Sequence, residues 1–266
     1  MKKDKTKKNT AGRIQLLDEL RGFAILAMIV HHFFLDLGDV LSVDAGYEIF
    51  RKLCVVQPLF WAIFIIISGI CSRLSRNVLK RGMIVFLAGG LVTLVTAVIM
   101  PKMGIYNAQI YFGILSCLGS CMLITGVIMP LIEKTPVWAG LGISAFLFFA
   151  TYHISEGSLL FGLIKLPSVL YETNYFAPLG FFNTSFKSAD YFAVFPWVFM
   201  FLFGAFIGKF AVDGMFPKWT YKSHCKVCAF VGRNSLWFYL AHQVVIYGIL
   251  YIVLGLLVLY TKMKVG

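Results

Sequence analysis

Long apolar runs, nearly free of charge, recur along the chain and set its expected architecture. Seven stand out, at roughly 20–37, 53–71, 82–100, 109–131, 137–152, 191–208 and 234–260. A helix needs ~20 mostly apolar residues to cross the hydrocarbon core of a bilayer, so each run predicts a membrane helix. Between 153 and 190 the pattern turns mixed and aromatic and is broken by Pro167 and Pro178. That stretch reads either as an extramembrane loop with an interfacial helix or as a broken eighth span buried against protein. The expected fold class is all-α: a polytopic integral membrane helical bundle of about 7–8 transmembrane helices with a cytoplasmic N-terminus.

Composition agrees, with 59% apolar and 14% charged residues against the usual soluble balance. Residues 1–13 form a basic arm, and 14–266 read as a single transmembrane domain with no internal repeat. The run behind the arm holds Arg21, His31, His32 and Asp36, and no small-residue cleavage site follows. It is therefore a retained first helix and not a signal peptide. The net charge of +12 is explained by placement. With the N-terminus inside, 17 Lys and Arg fall in inner segments and 7 in outer ones, as the positive-inside rule requires. The charge thus reports topology and attraction to anionic lipid, with no nucleic-acid partner implied. Localisation in a cell membrane, as a multi-pass protein of bacterial cytoplasmic-membrane type, is the expectation.

Ionisable groups inside a span are costly and are functional candidates by default. The first span, DELRGFAILAMIVHHFFLDLG, holds most of them. Arg21 and His32 are 11 positions apart, hence within about 20° around a helix and roughly 16 Å apart along it. Asp18, Met28 and Asp36 fall near the same stripe, and His31 lies about 80° away. One face thus carries a cation near the inner surface and an imidazole deep in the bilayer, with a carboxylate one turn beyond. Such an imidazole suits a general base; the alternative is that His32 only hydrogen-bonds to another helix. Asp36 either orients His32 or sits in the headgroup zone. His31 is expected to be a core residue.

After the second span, Arg73, Arg76, Lys80 and Arg81 fill an inner loop. They form either an ordinary cytoplasmic anchor or a site for a phosphate-rich ligand. Ser68 and Gly69 allow close helix approach, and Gly204 and Gly208 offer a packing face. Residues 209–233 are expected to be a basic inner loop. At the start of the last span, VGRNSLWFYLAHQVV, Asn234 or Ser235 would cap the helix. Arg233 would add charge beside free N–H groups, making an anion site or an oxyanion hole. His242 and Gln243 lie two turns into that span, either as helix glue or in a site. In the fourth run Ser116 is the polar residue to watch. Cys54, Cys71, Cys117 and Cys121 sit in spans as small core residues. Cys225 and Cys228 form a CxxC beside His224 that lacks the second ligand pair of a structural zinc site, so no metal is expected.

Motifs of soluble enzymes (GxSxG, HExxH, the Walker loop, the dinucleotide fingerprint) are absent. Instead DELRGFAILAMIVHHFFLDL, IFIIISGICSRLSRNVLKR, YFGILSCLGS, DYFAVFPWVFMFLFGAFIGK and GRNSLWFYLAHQVV resemble, in order, the bacterial branch of the heparan-α-glucosaminide N-acetyltransferase catalytic-domain family. The resemblance covers most of residues 12–250. A wider similarity joins it to the acyltransferase-3 O-acetylases, whose first helix carries an Arg and a His at the spacing of Arg21 and His32.

The resemblance implies a membrane-embedded transferase moving an acetyl group from cytoplasmic acetyl-CoA to a hydroxyl or amine of a glycan or similar acceptor at the outer side. It implies His32 as the catalytic residue, with Asp36 beside it. Arg21, Arg73, Arg76, Arg81 and Arg233 would serve the donor, and Asn234, Ser235, His242 and Ser116 would line the site. The expected partners are membrane lipid, acyl-CoA and the acceptor, with a homodimer left open. Two departures matter. The lysosomal enzyme places its proposed catalytic His after this helix, and no His occurs here between Leu37 and Lys52. Bacterial members often carry His where Ser116 stands. A proton-coupled solute carrier using His32, Asp36 and His242 as a relay is the rival reading, and an inactive membrane scaffold is the third.

Overall fold

Charged residues interrupt the first apolar run without breaking its helix. In the computed structural model, which describes residues 12–102 and 108–265, α1 runs unbroken from Gln15 to Leu41. The basic arm expected over 1–13 lies outside the described residues except at Gly12 and Arg13. About 76% of the protein is helical. The described helices are α1, α2 (Asp44–Cys54), α3 (Gln57–Arg73), α4 (Val78–Leu94), α5 (Met100–Lys102), α6 (Ile114–Val127), α7 (Met129–Lys134), α8 (Val137–Ala150), α9 (Val194–Val212), α10 (Lys226–Arg233) and α11 (Ser235–Val265). A π-helical turn, Val95–Ile99, joins α4 to α5.

Among the described residues five helices are long and apolar enough to cross a membrane: Gln15–Leu41, Val78–Lys102, Val137–Glu156, Val194–Val212 and Ser235–Lys264. The pair α2 and α3, bent by 55° at the break between them, makes a sixth if taken as one span. The run at 109–131 gives the start of α7 and the whole of α6, which has 14 residues. At 1.5 Å per residue that is about 21 Å, short of the ~30 Å hydrocarbon core. The stretch 153–190 contains neither an interfacial helix nor helical halves of an eighth span. Its 3-10 turns are Ile154–Glu156, Leu160–Gly162, Ser168–Tyr171 and Ala177–Leu179, with a two-residue antiparallel ladder, β1 (Ser158–Leu159) on β2 (Ile164–Lys165). Side chains tie it down: Tyr171 donates to the Ile154 carbonyl, and Tyr191 donates to that of Ala177 at 2.6 Å.

The chain divides into two compact units. The first covers Ile65–Phe216. Small residues let its helices meet. A Cβ on Gly69 would lie 2.1 Å from the Phe201 carbonyl oxygen, and one on Gly204 2.1 Å from that of Ile66, which confirms both glycines as packing positions. Lys209 Nζ donates to the carbonyls of Ile132, Glu133 and Thr135 (3.2, 3.2 and 2.9 Å), filling acceptors that the end of α7 leaves open. The Asp190 carboxylate accepts the first N–H of α6, from Ile114, at 3.2 Å.

The second unit comprises Gly12–Phe64 and Pro217–Gly266. Here 209–233 departs from the expected loop, since its last eight residues form α10. This helix lies backbone to backbone on α1. A Cβ on Gly22 would come within 1.9 Å of the Cys228 carbonyl oxygen, and one on Gly232 within 1.8 Å of that of Asp18. Only two glycines permit so close a contact. The α2 helix is a second unexpected element. Asp44 in its first turn and Arg51 and Lys52 in its last complement the helix dipole, a pattern hidden by low overall hydrophobicity.

Candidate functional site

Adjacent histidines on a helix point about 100° apart, so His31 and His32 meet different neighbours. His31 is 6% exposed and is held by the elements after α1. Its ring lies 4.5 Å from that of Phe50. Its Nε2 is 3.5 Å from Cys54 Sγ, and its Nδ1 is 3.4 Å from Gln57 Nε2. His31 is a core residue, as its position off the polar stripe predicts.

His32 turns toward α11 and stacks on His242, with ring centroids 5.1 Å apart and an interplanar angle of 26°. His242 Nδ1 meets the Tyr239 carbonyl oxygen at 2.5 Å. A carbonyl only accepts, so Nδ1 carries a proton, and in the neutral ring Nε2 then holds the lone pair. One turn along α1, Asp36 is 1% exposed, and its Oδ2 accepts from Gln243 Nε2 at 2.8 Å. Asp36 therefore reaches the histidine pair through α11, where Gln243 follows His242. The pairs 32 with 242 and 36 with 243 ascend together along α1 and α11, whereas 18 with 232 and 22 with 228 run in opposite order, so α10 meets α1 with its direction reversed. Two imidazoles and a buried carboxylate–amide pair thus share one seam within the membrane-spanning helices.

Arg21 lies nearer the start of α1 and is 6% exposed. Its Nη1 is 3.9 Å from Asp18 Oδ1, but Asp18 is already gripped by Arg13 through Nε at 2.5 Å and Nη2 at 3.0 Å. Nη2 of Arg21 is buried and has no hydrogen-bond partner. A buried guanidinium with an unspent donor suits an anionic group.

At the start of α11 the expected side-chain cap is not made by Asn234. The Asn234 carboxamide donates to the Phe230 carbonyl at 2.9 Å, and the Asn234 backbone N–H donates to Phe230 and Val231. The Asn234 carbonyl in turn accepts the N–H groups of Trp237 and Phe238, the first hydrogen bonds of α11. Arg233 is exposed at the end of α10, and Ser235 is half-buried beside it.

Four expected site residues belong to the other unit. Arg73 is committed there, with Nη2 on Glu133 Oε1 at 2.7 Å and Nη1 against the Met129 sulfur. Arg76 and Arg81 are exposed. Ser116 is 4% exposed and packs on α4, where a Cβ on Gly89 would lie 2.4 Å from its hydroxyl oxygen. Among the described residues no group of three or more His, Cys, Asp and Glu could hold a metal ion.

Sequence reasoning missed Glu19, which is 6% exposed. Its Oε1 accepts from Ser223 Oγ at 2.9 Å and from the backbone N–H groups of His224 and Cys225 at 2.6 and 3.0 Å. An acidic residue in the first turns of a membrane helix, opposite a Ser-His-Cys turn before a glycine-bearing segment, was the available signal.

Neither curated proteins nor solved structures give a match to the chain. A family model described as heparan-alpha-glucosaminide N-acetyltransferase, catalytic, matches residues 13–244. That match takes in α1, with its histidines and Arg21, and ends just past the His242–Gln243 pair that faces them. With helices long and apolar enough to cross a membrane on the same stretch, the chain belongs to the heparan-α-glucosaminide N-acetyltransferase catalytic-domain family, a family of membrane acetyltransferases.

Proposed function

We propose that this protein is an acetyl-CoA-dependent membrane acetyltransferase that acetylates a hydroxyl or amine of a glycan or similar small acceptor. The observation carrying the reading is the stacked pair of His32 and His242, backed by Asp36 and Gln243 inside the spanning helices. In this scheme an imidazole Nε2 of the pair takes the acceptor proton as the acceptor oxygen or nitrogen attacks the thioester carbon. The carbon–sulfur bond then breaks and coenzyme A leaves as the thiol after taking up a proton. Transfer through an acetyl-histidine follows the same balance in two steps. Arg21, with its unspent donor, is the residue of the α1 stripe suited to an anionic part of the donor. Arg233, an exposed cation of the same unit, suits that polyanion too, while Arg76 and Arg81 are exposed cations of the other unit.

A cytoplasmic N-terminus, with donor entry from that side, is supported by the excess of Lys and Arg in the segments so assigned. We place the protein in a cell membrane as a multi-pass chain whose residues 14–266 act as one catalytic domain. The test is incubation of detergent-purified protein with acetyl-labelled acetyl-CoA and a panel of amino and hydroxy sugars. The expected result is release of free coenzyme A and labelled acceptor, both lost in His32→Ala. A folded protein that neither binds nor turns over millimolar donor, yet moves solute in liposomes, overturns the assignment in favour of the carrier.

A further inference from the structure

The CxxC motif has a geometry that acetyl transfer does not use. Cys225 occupies the N-cap of α10, with extended backbone (φ −134°, ψ 99°), and its sulfur accepts the Cys228 N–H at 3.3 Å. Cys228 is three residues on, in the first turn of α10. Both side chains are half-exposed. The turn leading into them is preformed, because the Glu19 carboxylate holds the backbone N–H groups of His224 and Cys225 and the Ser223 hydroxyl. A fixed turn keeps both sulfurs on one helix end, where a disulfide between N-cap and first-turn cysteines closes without unwinding the helix.

We propose that Cys225 and Cys228 form a redox-active dithiol that is oxidised by a low-molecular-weight disulfide, with Cys225 as the attacking thiol and Cys228 as the resolving one. The electrostatics split the pair in that sense. The Cys228 thiol hydrogen bond and the Cys228 N–H pull the Cys225 thiol below its ordinary range, while donating to Cys225 and burial push Cys228 up to about 11. The Cys225 thiolate attacks one sulfur of the external disulfide, forming a mixed disulfide and expelling one thiolate, which takes up a proton. Cys228 then loses its proton, attacks Cys225 Sγ and expels the second thiolate. Two protein thiols are oxidised and one external disulfide is reduced to two thiols. The centre also has a mechanical outlet. The Cys228 carbonyl is the atom packed on Gly22, next to Arg21, so bond formation at Cys228 acts on one of the two close backbone contacts between α10 and α1.

The test uses the full-length protein in detergent, equilibrated with glutathione disulfide and glutathione over a range of ratios, alkylated and digested with trypsin. Cleavage at Lys222, Lys226 and Arg233 separates the two cysteines onto the peptides 223–226 and 227–233. The expected result is that these peptides stay joined in oxidised samples and part on reduction. Cys228→Ser should trap glutathione on Cys225, and Cys225→Ser should trap none on Cys228. If the peptides remain separate at every ratio, the proposal fails; it fails equally if Cys228 is the residue trapped.

Discussion

His32 and His242 face each other across α1 and α11 with their rings 5.1 Å apart, and the Tyr239 carbonyl fixes the second ring by holding its Nδ1 proton. A stacked pair of imidazoles offers a proton path that neither ring supplies alone, because one can take a proton while the other keeps a lone pair free. Rings so arranged act as a unit, and units give non-additive kinetics. His32→Ala and His242→Ala should each lower kcat by about 10²–10⁴-fold, the ordinary range for loss of a general base. The double variant should be scarcely worse than either. Acetyl transfer assayed at saturating donor checks this, and multiplying effects would show that the two rings work independently.

His31→Ala should behave differently. Its ring is spent on Phe50, Cys54 and Gln57. Truncation removes buried packing, so the expected effect is a loss of stability of about 1–3 kcal/mol with kcat largely kept. Thermal unfolding in detergent alongside the transfer assay separates this outcome from a catalytic one.

The Asp36–Gln243 bond predicts a rescue. Asp36→Leu strands a half-buried amide donor and should cost about 1 kcal/mol. Replacing both partners, in Asp36→Leu/Gln243→Leu, removes the unpaired group and should restore most of the melting temperature. Activity should stay low in both, since neither variant braces α11 beside His242. Recovery of activity along with stability would assign the pair to packing alone.

The apolar runs and part of the α1 stripe were legible because they depend on local period: His32 and Asp36, one turn apart, both face α11. What could not be read was partner choice. The CxxC segment looked like a basic loop because Lys222, Lys226 and Arg233 mask an eight-residue helix whose stability comes from Gly22 on α1. Arg73 looked like a ligand cation because its partner, Glu133, lies 60 residues away in sequence. The cap expected at Asn234 is not made, since its carboxamide donates back to the Phe230 carbonyl of α10. Long-range pairing overrides local rules wherever a polar group can be satisfied by a distant neighbour.

Gly232→Ala tests the α10 seam. The added methyl would sit 1.8 Å from the Asp18 carbonyl oxygen, which is backbone and has no rotamer to yield. Overpacking of this kind costs about 1–3 kcal/mol or more. Gly255→Ala, where nothing lies within 4 Å, is the control and should leave the melting temperature unchanged or raised.

Thiol acidity gives a pH prediction. A thiolate alkylates and a thiol does not, so each cysteine becomes reactive as pH rises through its own pKa. Cys225, pulled down by its hydrogen bonds, should react with iodoacetamide first, while Cys228 should lag until the solution approaches pH of about 11. Peptide-resolved alkylation between neutral and alkaline pH reads the order, and in Cys225→Ser the lag at Cys228 should shorten because its hydrogen-bond acceptor is weakened.

The basic loop after α3 contains two kinds of arginine, and donor binding should tell them apart. Arg73 is buried on its ion pair with Glu133, at 2.7 Å, and touches Met129. Removing it leaves Glu133 without that partner and opens a packed site, so Arg73→Ala should lower the melting temperature. Its effect on KM for acetyl-CoA should follow from that loosening. Arg76 is exposed and its charge is screened by water and salt. Arg76→Ala should therefore leave stability within about 0.5 kcal/mol. If the loop meets the donor phosphates, KM should rise for this variant at low salt, and the difference from wild type should shrink as salt is added. Equal KM at every ionic strength would remove the loop from the donor site and leave Arg21 as the cation to test next.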